Sequence, residues 1–167
     1  MFDLSISSAT PADEGERTKA LPVALASLLE GETDALANLS NAASLIFASL
    51  NRINWAGFYL LRGDTLVLGP FQGKPACVRI PMGKGVCGAA AARRQTLVVP
   101  DVNAFPDHIA CDAASRSEIV VPILDGDVLR GVLDVDSPEK GRFGDAEQAV
   151  LEECVRGLVP RVDWGKL

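Results

Sequence analysis

A chain of 167 residues, 48% hydrophobic and 23% charged, is the right size for one soluble domain with a substantial core. The formal net charge of -6, with no basic cluster beyond Arg93 and Arg94, argues against a phosphate backbone as partner, so no nucleic acid is expected. Apolar runs such as SLIFASL and IVVPIL fall well short of the roughly 18 to 20 residues that cross a bilayer, and no basic leader followed by an apolar stretch opens the chain. A cytoplasmic protein with no membrane contact is expected.

Residues 1–16 are small, polar and rich in Ser, Asp and Glu, and read as a loose N-terminal arm; residues 17–167 read as the folded domain. Helical spacing runs from Thr18 to Glu30 and, more clearly, from Thr33 to Asn51, where Leu36, Leu39, Ala43, Ile46, Phe47 and Leu50 recur every three or four residues. Then comes INWAGFYLL, a strand whose alternation sets Trp55, Gly57 and Tyr59 on one face and Ala56, Phe58 and Leu60 on the other. Gly63-Asp64 turns the chain into TLVLGPF, ACVRI is a third strand, and PMGKGVCGAAAARRQ makes a glycine turn followed by a helix. TLVVPDV is a strand with an early stop. SEIVVPIL and VLRGVLDVD form a hairpin around DGD, and a final helix starts near Asp145, taken as its N-cap. Helices, then consecutive antiparallel strands, then a helix make an α+β fold with a central antiparallel sheet flanked by helices, not a doubly wound one.

Of four cysteines, Cys154 falls in the apolar stripe of the last helix and reads as a packing residue. Cys77, Cys87 and Cys111 lie at the ends of elements, where scaffolds present reactive groups. Three readings stand open for them: core filling, a Cys3His zinc site with His108, or thiol chemistry in which one thiolate attacks and another resolves. No CxxC knuckle supports zinc. GKGVCG lacks the spacing of a phosphate-binding loop, so no nucleotide is expected, and no cofactor is implied.

Asp134 and Asp136 are two apart on a strand and share a face, either solvent-facing or lining a pocket where crowded carboxylates hold a proton. Glu118 joins them only in certain registers. A two-residue turn at Asp125-Gly126 puts it opposite Leu133 and away from Asp134, whereas a three-residue DGD loop puts it opposite Asp134; a three-acid pocket therefore requires the longer loop or a bulge. Trp55 and Tyr59 are either core or an apolar pocket wall with polar tips.

NWAGFYL, LGPFQGKPACVRIPMGKGVCGAAA, DVNAFPDHIACDAASRSEIVVPI and GVLDVDSP together resemble the free methionine-(R)-sulfoxide reductases, a family with the GAF fold, over roughly Leu36 to Leu158. The resemblance implies a single GAF-like domain, a homodimer, and reduction of free methionine (R)-sulfoxide with thioredoxin as reductant, through a sulfenic acid and an intramolecular disulfide. It implies Cys111 as the attacking thiol, Cys77 as the principal resolving thiol and Cys87 as a further participant. Glu118, Asp134 and Asp136 become substrate-binding acids, with Trp55 and Tyr59 lining the pocket. Asp107 and Asp112, beside Cys111, oppose a lowered thiol pKa there. The alternative is a GAF sensory module that binds a small ligand or senses oxidants without turnover; the chain shows no output domain, which disfavours it.

Overall fold

The computed structural model describes residues 11–106 and 113–167, so Asp107, His108, Cys111 and Asp112 lie outside the described residues. The first helix, α1 (Pro11–Leu28), begins ahead of the expected Thr18, which makes part of the expected arm helical. Proline suits the first helical position because the N–H it lacks would have no partner there. Glu14 gains a further hold, accepting from Arg142 Nη2 at 2.8 Å. Asp34 caps α2 (Ala35–Ser49) by accepting from the Ala37 N–H at 2.8 Å. The last helix, α4 (Asp145–Leu158), is capped at Gly144 rather than at Asp145, because the Glu147 carboxylate reaches back to the Gly144 N–H at 3.0 Å. Asp145 instead adds negative charge to the first turn, where the helix dipole favours it.

Six strands form one antiparallel sheet: β1 (Trp55–Arg62), β2 (Thr65–Gly73), β3 (Arg79–Pro81), β4 (Leu97–Val99), β5 (Ser117–Asp125) and β6 (Val128–Ser137), in the order β3-β2-β1-β6-β5-β4. Between β3 and β4 lies α3 (Gly85–Arg93). The α+β expectation holds, with two shortened strands. β4 stops at Val99 because Pro100 and a 3-10 turn over Val102–Ala104 follow. β3 omits Ala76 and Cys77, which leave the sheet before pairing resumes at Arg79.

Alternation divides the buried side chains between two cores. Ala56, Phe58, Leu60, Ile119, Val121, Ile123, Leu133 and Val135 face α1, α2 and α4, where Leu25, Leu39, Ile46, Leu151, Cys154 and Leu158 meet them. Trp55, Tyr59, Val120 and Val132 face the other way, toward α3 with Val86, Cys87, Ala90 and Ala91. Glu118, Asp134 and Asp136 belong to this second face.

A β-bulge puts them there. The hairpin turn is Gly126-Asp127, so Asp125 faces Val128 and Leu124 faces Leu129; Arg130 is then skipped and Ile123 faces Gly131. Beyond the skip, Val120 lies opposite Asp134 and Glu118 opposite Asp136, so neither simple loop describes the register. Without the extra residue, Glu118 would pair with Val135 and point into the helix-facing core. Glycine is required at the bulge. Gly131 has φ +157, and a Cβ there would sit 2.1 Å from the Tyr59 carbonyl oxygen on β1.

Candidate active site

The hairpin register and α3 bring three acidic groups together. Glu118 from β5, Asp134 from β6 and Cys87 from the first turn of α3 are each more than nine-tenths buried, and the Cys87 thiol donates to Glu118 Oε1 at 3.7 Å. Asp136, directly opposite Glu118, is half-buried at the end of the same face. Oδ1 of Asp134 is buried with no hydrogen-bond partner among the described residues. An unpaired buried oxygen is costly, and this one can accept from a donor or meet a cation brought into the site.

Burial sets the protonation of this cluster, and mutual repulsion adds to it. Glu118 is pushed well above the ordinary carboxylate range, first by desolvation and then by the charges of Asp134 and Asp136. Asp134 is pushed up to about 7 by burial, which hydrogen bonding with Cys87 and Glu118 only partly offsets. The pair therefore holds at least one proton at neutral pH and titrates as a unit. The Cys87 thiol is also raised well above normal, by burial and then by Asp134, Glu118 and Asp136. Its place at a helix N-terminus favours thiolate by only about 1 kcal/mol, too little to compete with burial and three acids. Cys87 thus stays a thiol and a hydrogen donor.

An aromatic wall adjoins the acids. Trp55 and Tyr59 stack with ring centroids 5.8 Å apart and an interplanar angle of 24°, and Phe71 stacks on Trp55 at 5.3 Å and 13°. Residues four apart on a strand are separated by about 13 Å along the chain, so the indole must lean over Gly57 to reach Tyr59. Glycine makes that possible: a Cβ on residue 57 would meet the Trp55 ring at 2.7 Å and Phe71 Cβ at 2.3 Å. The polar tips are already engaged, Trp55 Nε1 donating to the Lys74 carbonyl at 3.2 Å and Tyr59 Oη to the Cys77 carbonyl at 3.0 Å. Burial and the neighbouring acids raise the Tyr59 hydroxyl far above its ordinary value, so it remains a donor. Phe71 escaped the sequence reading. Gly69-Pro70 just before it, a dipeptide that marks a bulge within a strand, was the available signal.

Of the expected site residues, Trp55, Tyr59, Cys87, Glu118, Asp134 and Asp136 are thus gathered on one face, while Cys111 lies outside the described residues. Cys77 is half-buried and disulfide-bonded, whereas Cys87 and Cys154 are free. A disulfide sulfur is no thiolate ligand, so the Cys3His zinc arrangement is not available to Cys77 in this state. Among the described residues, the set able to hold a cation is instead Cys87, Glu118 and Asp134, with one donor atom of each within 4.8 Å of the others. Such a set suits an ammonium as well as a metal.

Comparison with known proteins gives the same architecture. The family model of the GAF domain matches residues 24–157. The free methionine-R-sulfoxide reductase of Escherichia coli is 56% identical over 131 residues, spanning 78% of this chain and 79% of that protein. The protein of the same name from Saccharomyces cerevisiae is 48% identical over 138 residues, 77% of this chain and 76% of its own. Among solved structures, a free methionine-R-sulfoxide reductase from Neisseria meningitidis, in complex with its substrate, superposes with a TM-score of 0.90 at 41% identity, covering 99% of this chain and 98% of that one.

Proposed function

The chain belongs to the GAF domain family and, within it, to the free methionine-R-sulfoxide reductases, and on that premise we propose that it reduces free methionine (R)-sulfoxide to methionine by thiol chemistry. The observation that carries this reading is the buried, proton-sharing pair Glu118 and Asp134 beside an aromatic wall.

A sulfoxide becomes a useful electrophile once its oxygen is hydrogen-bonded or protonated, and a carboxyl kept neutral by burial and crowding supplies that proton at neutral pH. Cys111 attacks the sulfoxide sulfur; oxygen passes to the cysteine, methionine leaves, and a sulfenic acid remains. The substrate sulfur gains two electrons and the cysteine sulfur loses two. The Cys77 thiol then attacks the sulfenic acid, expelling water and forming a disulfide, which thioredoxin reduces by exchange. That Cys77 is disulfide-bonded while Cys87 is free supports Cys77 as the resolving residue.

The acids also account for selection of the free amino acid. Asp136, Glu118 and Asp134 together make an acidic site that attracts an α-ammonium, a group that a peptide-linked residue lacks. The stacked Trp55 and Tyr59 rings, 2% and 1% exposed, back the acids as an apolar wall, and their polar tips are bound to protein carbonyls. A homodimer is part of the proposal on the strength of the family.

The test is consumption of methionine (R)-sulfoxide with dithiothreitol or thioredoxin as reductant. Turnover is expected with both. Cys111→Ser is expected to abolish it, and Cys77→Ser to allow a first turnover but slow recycling by thioredoxin. Absence of turnover with either reductant, or a normal rate in Cys111→Ser, would overturn the assignment.

A further inference from the structure

The segment that carries Cys77 has little sheet to hold it. Gly73 is the last residue of β2 and pairs with Trp55, and the chain is next tied to β2 where the Val78 carbonyl accepts from the Leu68 N–H at 3.0 Å. Lys74, Pro75, Ala76 and Cys77 span the gap outside the ladder, and Pro75 has no N–H with which to join it. Both ends of this excursion are nevertheless fixed, each by a side chain from the floor of the site. Trp55 Nε1 donates to the Lys74 carbonyl at 3.2 Å, and Tyr59 Oη to the Cys77 carbonyl at 3.0 Å. The donors themselves are rigid: Trp55 is 2% exposed and Tyr59 1%, on a central strand, with their rings stacked together.

We propose that Trp55 and Tyr59 are positioning residues for the redox step, a two-point clamp that keeps the Cys77 segment placed for disulfide closure. The proposal rests on Cys77 being the resolving thiol. In the closing step the Cys77 sulfur bonds to the sulfenic sulfur of Cys111, the S–O bond breaks, and hydroxide leaves with the thiol proton as water. Neither aromatic side chain takes part in that exchange of atoms. Each acts by limiting how far the dithiol form of Lys74–Cys77 can wander, so that less conformational freedom is lost when the disulfide forms.

Tyr59→Phe is the discriminating variant, because it keeps the ring and its stacking and removes only the donor to Cys77. Equilibrating the protein with reduced and oxidised dithiothreitol gives the potential of the Cys77 disulfide without any sulfoxide present, so the result is independent of the proposed substrate. Loss of one hydrogen bond that the disulfide form holds is expected to weaken closure about fivefold. That corresponds to a rise in potential of about 20 mV. Trp55→Phe, which frees the end farther from the sulfur, is expected to shift it in the same direction by less. During turnover of Tyr59→Phe, dimedone is expected to capture more sulfenic acid than in the parent, since closure competes less well. A purely structural role would weaken the oxidised and dithiol forms alike and leave the potential where it was. An unchanged potential in folded Tyr59→Phe, or a larger shift in Trp55→Phe, would overturn the clamp.

Discussion

Asp134→Asn should stabilise this protein, and increasingly so as pH rises. The carboxyl sits at about 7 in the folded state against an ordinary 3.8, chiefly because burial disfavours its charge. Below about pH 4 both states carry the proton and nothing is lost. Between pH 4 and 7 the folded state holds a proton that the unfolded state has released, so stability falls as pH increases, and above 7 the loss is complete. At about 1.36 kcal/mol for each tenfold gain in proton affinity, the rise from 3.8 to about 7 makes the full loss about 4 kcal/mol, or roughly 10 °C in Tm for a chain of this size. Asparagine carries no charge and keeps the shape. It also relieves Glu118, whose rise stems in part from Asp134. Urea unfolding of parent and variant at pH 4.5 and pH 8 measures the effect, with the disulfide state held constant. About 1 kcal/mol of the loss is already present at pH 4.5, so the advantage of the variant is expected to grow by about 3 kcal/mol between the two conditions. An advantage that stays flat, or a variant that is less stable at pH 8, would refute the account of a crowded, proton-sharing pair.

Gly131→Ala forces a side chain into positive φ against the Tyr59 carbonyl, and strain of this kind costs about 1 to 3 kcal/mol before β1 and β6 are pushed apart. A lower thermal midpoint and a loss of activity are expected together, because the bulge holds Glu118 on the site face. Arg142→Met removes a side chain only 2% exposed that bonds Glu14 and Glu147 at 2.8 Å each and the Asn51 carbonyl at 3.0 Å. Unpairing buried charges of this kind costs about 3 to 5 kcal/mol, to be read from the urea midpoint. Cys154→Ala leaves a small cavity between α4 and the sheet, worth about 1 kcal/mol, and turnover per folded molecule is expected to stay within about twofold of the parent.

The sequence exposes the residues that obey a simple period. α2 follows from Leu39, Ala43 and Ile46, and β1 from the alternation of Trp55 and Tyr59 against Ala56 and Phe58. Where a single residue breaks the period, the reading fails or stays undecided. One skipped residue, Arg130, decides whether Glu118 faces the acids or the helices, and nothing local in VLRGVLDVD announces a bulge except its glycine. The start of α1 was missed for a different reason. Its early turn is held by Arg142, a contact 128 positions away that no local pattern encodes. ACVRI likewise has the pattern of a strand, but Ala76 and Cys77 lie off the sheet in a segment whose Lys74 and Cys77 carbonyls accept from Trp55 and Tyr59, contacts that belong to tertiary structure.

The central claim is that a reducing site in this chain spends Cys77 and Cys111 and spares Cys87. Fully reduced protein, freed of reductant and given excess methionine (R)-sulfoxide, allows methionine and remaining thiols to be counted after a single turnover. The expected result is about one methionine per chain, with two of the four cysteines oxidised and Cys87 and Cys154 still alkylated after unfolding. No methionine, or loss of the Cys87 thiol in place of Cys77, would contradict it.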